Sequence, residues 1–180
     1  MMFYPLLVIG LFLSLVIQYF IPPIPWVYDA RLLLLPIVFF YCALAVPFWG
    51  MLIYAFITGF MWDAMTVQIV DSTVEISLGW SIIVYAVFGA IMNGFRPWFL
   101  RGRWEIHCLL SGICTALIVF IEYLMITFRR SGFEFPIVVW WRIGGAGILA
   151  AAMSPFVFFV LNWMGDKVGF NPEPEERPAF

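Results

Sequence analysis

Charge is scarce in this chain, and the scarcity excludes whole classes of protein. Only 11% of the 180 residues are Asp, Glu, Lys or Arg, against about 25% in an average soluble domain. With 64% hydrophobic and 20% aromatic residues, the composition predicts an integral membrane protein. Nine Lys and Arg against eleven Asp and Glu give a net charge of -2. No basic stripe of the kind that neutralises phosphates occurs, which argues against nucleic acid as a partner.

Cysteine and histidine are equally sparse. Cys42, Cys108 and Cys114 form an odd set without a C-x-x-C pair, and His107 is the single histidine. One histidine cannot supply both a metal site and a base, and the thiols read as small buried hydrophobes. G-x-S-x-G, H-E-x-x-H and P-loop patterns are missing. Gly145-Ala146-Gly147-Ile148-Leu149-Ala150 matches G-x-G-x-x-A, but it lies inside an apolar run rather than after a strand, so it lacks phosphate-binding geometry. The expectation is therefore no catalytic residue, no cofactor, no metal and no enzyme. His107, close to Glu105 at the start of a span, reads as an interfacial polar residue. No Lys or Arg precedes Arg31 and no A-x-A-like cleavage site follows the first apolar run. That run is expected to be a first span rather than a signal peptide.

What remains is apolar helix. The length suits about six helices of about 20 residues, each spanning a hydrocarbon core of about 30 Å. Span one is expected at Phe3 to Phe20, stopped by Pro22, Pro23 and Pro25. Span two, Leu32 to Val46, is short, and a tight turn at Pro47 leads to span three, Phe48 to Trp62. A polar connection from Thr66 to Ser77 precedes span four, Leu78 to Phe95. The basic turn Arg96 to Arg103 then leads to span five, Glu105 to Phe128, and Arg129 to Glu134 turn the chain into span six, Pro136 to Trp163. Residues 1–168 make one six-helix domain. The acidic, proline-rich stretch 169–180 reads as a disordered cytoplasmic tail.

Placing both termini in the cytoplasm puts Arg96, Arg101, Arg103, Lys167 and Arg177 inside and leaves Arg31, Arg129 and Arg130 outside, a positive-inside bias. The same orientation sorts the tryptophans into two belts. Trp49, Trp98, Trp104 and Trp163 fall at inner helix ends, and Trp26, Trp62, Trp80, Trp140 and Trp141 near outer ones.

Small residues four apart, such as Gly10/Ser14, Ala55/Gly59, Ala86/Ala90, Gly112/Ala116 and Gly147/Ala151, allow close helix approach where no hydrophobic effect drives association. Span six, with Gly144, Gly145, Gly147 and Ala151, is the richest in them and is expected to be the central or partner-facing helix. Among polar residues, Glu122 and Arg142 come out at equal depth on antiparallel spans five and six. They are expected to pair, because a lone mid-span charge costs about 2.5–3.5 kcal/mol on insertion scales. Asp63, at the end of span three, is expected to stay wet at the outer interface, where Asp63, Thr58 and the Leu78-Gly79 turn form a surface. Asn93 is expected to make an inter-helix hydrogen bond.

Gly59-x-x-x-Asp63 followed by Leu78-Gly79, the polar lead-in Asp29-Ala30-Arg31 to Leu32-Leu33-Leu34-Leu35, and Phe120-Ile121-Glu122-Tyr123 late in span five together resemble the bacterial rod shape-determining protein MreD family. The resemblance covers about Asp29 to Trp163. The gap between Asp63 and Leu78 is several residues longer than the family pattern, and Arg31 is unusual within the lead-in. The resemblance implies a multi-pass protein of the bacterial cytoplasmic (inner) membrane that scaffolds or regulates lateral-wall peptidoglycan synthesis. Its implied partners are the lipid bilayer, MreC, MreB, and the SEDS glycosyltransferase with its class B penicillin-binding protein. It also implies a fold similar to the S-component of energy-coupling-factor transporters. That likeness supplies the alternative reading, a vitamin-binding transporter subunit, but span one contains no alanine for the Ala-x-x-x-Ala motif of those subunits. An intramembrane enzyme is the third reading, with scattered acids and one histidine as a poor active site.

Overall fold

A helix that is apolar on every side belongs inside a bundle, and α2 (Leu34–Ala45) is that helix: all twelve of its residues are buried. The computed structural model describes residues 3–66, 69–70, 73–74, 79–99, 104–129 and 135–169. Around α2 stand α1 (Phe3–Phe20), α3 (Phe48–Thr66), α4 (Trp80–Gly94), the four-residue α5 (Arg96–Phe99), α6 (Trp104–Arg129) and α7 (Ile137–Lys167). Between α3 and α4 two short antiparallel strands, β1 (Ile69–Val70) and β2 (Thr73–Val74), pair with each other. The helices α1, α3, α6 and α7 are long and apolar enough to cross a membrane, and α2 and α4 are apolar but shorter. This is the make-up of an all-α membrane protein.

Span six was expected to be the central or partner-facing helix; the central place belongs to α2. Its twelve residues reach only about 18 Å at 1.5 Å per residue, so its neighbours must cover its ends as well as its sides. They do so with side chains. At the start of α2 the amide of Leu35 donates to Gln18 Oε1 of α1 at 3.0 Å. At its far end the Asn93 amide nitrogen donates to the carbonyls of Ala43 and Val46 at 2.6 and 2.9 Å. This is the inter-helix bond expected of Asn93, and it satisfies carbonyls that a helix end leaves free.

The two most extensive helix pairings are α6 with α7 and α3 with α4. In the first, a Cβ on Gly112 would stand 2.8 Å from Ala151 Cβ, and one on Gly147 would stand 2.9 Å from Ala116 Cβ. Small residues here bring the two backbones together, as their spacing implies. Gly145 faces elsewhere, onto Val27 and Ala30 of the α1–α2 connection, and Gly144 meets open space. That connection is folded rather than slack. Ile24 and Ala30 form a bridge around the single 3₁₀ turn Pro25–Val27, with Tyr28 and Asp29 both left-handed.

Candidate functional site

Two groups of buried polar residues stand out in the described chain, one around Asp63 and one around His107. They are called the Asp63 end and the His107 end.

At the Asp63 end the architecture starts with Gly59. A Cβ there would lie 2.5 Å from both the amide nitrogen and the Cα of Ile82, so only glycine lets the α3 backbone lie against α4. One turn further along α3, Asp63 then reaches the start of α4, where its Oδ2 accepts the Gly79 amide at 2.6 Å. Gly79 has φ +102°, a left-handed conformation that favours glycine, and sits at the N-cap of α4. The carboxylate therefore faces the positive end of a helix dipole, which offsets part of the cost of burying it.

This corrects the placement of Asp63 in water at an interface: it is 2% exposed. The reason is that α3 continues one turn past Trp62 to Thr66, closed by the Thr66 hydroxyl donating to the Trp62 carbonyl at 2.8 Å. Asp63 thus lies within the helix, pressed between helices. Leu78, the other residue expected in the turn, lies outside the described residues.

Thr58 and Tyr85 are fully buried on α3 and α4. Thr58 lies one turn before Trp62 on α3, and Tyr85 lies on α4 within electrostatic reach of both Asp63 and Glu122. Among the described residues the Thr58 and Tyr85 hydroxyls, the Trp80 indole nitrogen and Asp63 Oδ1 have no hydrogen-bond partner. Glu122 stands on α6 and is half-buried.

Glu122 and Arg142 do not pair. Arg142 turns to the α1–α2 connection, donating from Nε to the Tyr28 carbonyl at 3.3 Å and lying 3.9 Å from Asp29 Oδ2. Both side chains of that ion pair are more than half exposed, at 55% and 61%. The cause is rotational. Gly145, three positions on, seats α7 against Val27 and Ala30, which carries Arg142 to the same surface, while Glu122 faces α3. Around Arg142 the rings of Tyr28 and Trp141 stack at 5.3 Å, and Trp140 stacks on Phe120 at 5.9 Å.

At the other end His107 is wholly buried rather than interfacial. The Ser111 hydroxyl donates to Ser154 Oγ at 2.9 Å, and Ser154 bonds to His107 Nδ1 at 2.7 Å. His107 Nε2 lies 3.4 Å from the Ile37 carbonyl. A proton on Nε2 and a lone pair on Nδ1 let every member bond at once, joining α6, α7 and α2. Tyr41 and Phe158 rings pack around the imidazole. The arrangement is a serine–histidine chain whose donors are spent inside it, so its evident work is to hold three helices. The sequence signal for it was the lone histidine on an apolar helix, four residues before Ser111. Cys42 and Cys114 are buried and Cys108 half-buried, all as free thiols. No three His, Cys, Asp or Glu side chains among the described residues come close enough to hold a metal ion.

Comparison of the chain with protein-family models, with curated proteins and with solved structures finds no match in any of the three.

Proposed function

We propose that the chain crosses the bacterial cytoplasmic membrane six times, with both termini inside, and acts as a non-enzymatic component of the cell-elongation machinery of the MreD kind. In this reading it binds MreC and the lateral-wall peptidoglycan synthases and scaffolds or regulates them, alongside MreB. The observation that carries the reading is the interlock of Gly59, Asp63 and Gly79. These are the residues on which the resemblance rests, and their spacing has a physical use: Gly59 lets α3 lie on Ile82, and Asp63 then caps Gly79. Four long and two short apolar helices are compatible with six spans once α2 and α4 are counted, both being short helices capped at their amino ends by a neighbouring helix.

The alternative, an S-component-like transporter subunit, draws on the polar groups at the Asp63 end. The outward turn of Arg142 toward Asp29 takes it away from those groups. Purification of the tagged chain from cross-linked native membranes separates the two. Recovery of a bitopic wall-synthesis protein supports the elongation reading. Recovery of paired ATPases or of a bound vitamin overturns it.

A further inference from the structure

A cleft opens on the outward face of α7. Phe156, Phe159, Val160 and Trp163, all exposed, line a volume of about 270 Å³. Trp104 of α6 edges it, with its ring centroid 6.1 Å from that of Phe159. Toward the carboxyl end of the helix the Lys167 ammonium lies 4.1 Å from the centroid of the Trp163 ring, so a cation is held over the mouth of the cleft. Asp166 and Lys167 stand three and four positions beyond Trp163, which puts both on the next turn of the same face. Both are exposed, and neither forms an ion pair among the described residues.

The lining says what fits. Water is a poor occupant, because a water molecule needs two to four polar partners and these side chains are aliphatic and aromatic. A second transmembrane helix fits no better. Helices in membranes approach through small residues, and Gly147 and Ala151 of α7 already lie against Ala116 and Gly112 of α6. The cleft face presents Phe156, Phe159 and Trp163 instead, which hold another backbone away. A flexible acyl chain can follow such a surface. The length agrees: from Phe156 to Lys167 the helix rises about 16.5 Å at 1.5 Å per residue, close to half of a hydrocarbon core of about 30 Å. The cleft therefore spans the depth of one leaflet and ends in charge, as a phospholipid does.

The two charges select the headgroup. The Lys167 ammonium donates hydrogen bonds suited to a phosphate, and the Asp166 carboxylate beside it only accepts them. A headgroup that carries a phosphate and a small primary ammonium satisfies both. A quaternary ammonium has no N–H to give the carboxylate, and an anionic headgroup sets it against its own sign. We propose that this face of α7 binds one phospholipid of the ethanolamine class. An acyl chain lies in the cleft of Phe156, Phe159, Val160 and Trp163, the phosphate on Lys167 and the ammonium on Asp166. The site depends only on α7 crossing a bilayer and not on the elongation reading.

The test is native mass spectrometry of the full chain, stripped of lipid in detergent. It is then offered equal amounts of phosphatidylethanolamine, phosphatidylcholine and phosphatidylglycerol with the same acyl chains. One phosphatidylethanolamine is expected to be retained, about tenfold over either competitor, the scale of one charge-assisted hydrogen bond. Lys167→Gln is expected to remove most of the retention, and Asp166→Asn to remove the preference over phosphatidylcholine. Val160→Trp, which fills the cleft, is expected to abolish retention of any lipid, and Arg142→Ala, near the other end of α7, to leave it unchanged. Equal retention of the three lipids, as a nonspecific annulus would give, overturns the proposal, and so does a preference for phosphatidylcholine or phosphatidylglycerol. Undiminished retention by Val160→Trp overturns the cleft as the seat of the chain. The wild-type competition decides the headgroup even if a variant fails to fold.

Discussion

Asp63 Oδ2 lies 2.6 Å from the amide of Gly79, sixteen positions along the chain, so a carboxylate from the last turn of α3 caps the start of α4. Everything else at that end of the bundle is arranged around this contact.

Removing it should be costly in a graded way. Asp63→Ala is expected to destabilise the protein by about 1–3 kcal/mol, because a buried helix-end amide loses its acceptor. Asp63→Asn keeps an oxygen in place and should lose less. Thermal midpoints of the purified variants in one detergent check the order: wild type above Asn, Asn above Ala.

The glycines provide a contrast that composition alone does not. Gly59→Ala drives a methyl into the Ile82 backbone, which cannot rotate aside. A loss at or above the usual 1–3 kcal/mol of overpacking is expected. Gly144→Ala meets nothing within 4 Å, and alanine's better helix propensity makes it neutral or mildly stabilising. Recovery of monodisperse protein after extraction, together with melting temperature, distinguishes the two.

The His107 chain should behave as a unit. Ser154→Ala strands His107 Nδ1 and leaves the Ser111 hydroxyl only the Cys108 carbonyl at 3.2 Å, for an expected loss of about 1–3 kcal/mol. Ser111→Ala made on top of it should add less than Ser111→Ala alone. A double-mutant cycle should therefore give a coupling of at least about 0.5 kcal/mol.

For Glu122 and Arg142 the same cycle should give nothing. Arg142→Ala is expected to cost no more than about 1 kcal/mol, the scale of an exposed ion pair. Its coupling to Glu122→Gln should fall within about 0.5 kcal/mol, as for separated sites. A larger coupling would mean that the two side chains meet after all.

The contrast between Asn93 and Arg142 shows what could be read in the chain and what could not. Helix limits were legible because breakers mark them. Pro22, Pro23 and Pro25 end α1 at Phe20, and Pro47 separates α2 from α3. Inter-helix bonding of Asn93 was legible because an amide in an apolar helix has few other options. Faces were not legible. On α1 the buried Leu7, Leu11 and Leu15 and the outward Ile9, Leu13 and Ile17 are chemically alike, so no periodicity tells core from lipid. Equal depth suggested that Glu122 and Arg142 would meet, but depth is one coordinate and rotation is another. Rotation of α7 is set by Gly145 against Val27 and Ala30, a contact that no local pattern announces. His107 was misplaced for a related reason: a position near a helix start suggests water, yet Tyr41 and Phe158 from other helices cover it.

The shortness of α2 has a consequence for how the protein is made. Twelve residues, about 18 Å of helix, cannot bridge a hydrocarbon core of about 30 Å unaided. As it leaves the ribosome, α2 has only α1, the source of Gln18, already made before it; α3, α4, α6 and α7 all follow it in the chain. Under the six-span reading it therefore enters the bilayer as one half of a hairpin with α3, folded at Pro47, and the timing of its insertion is dictated by the helix that follows it.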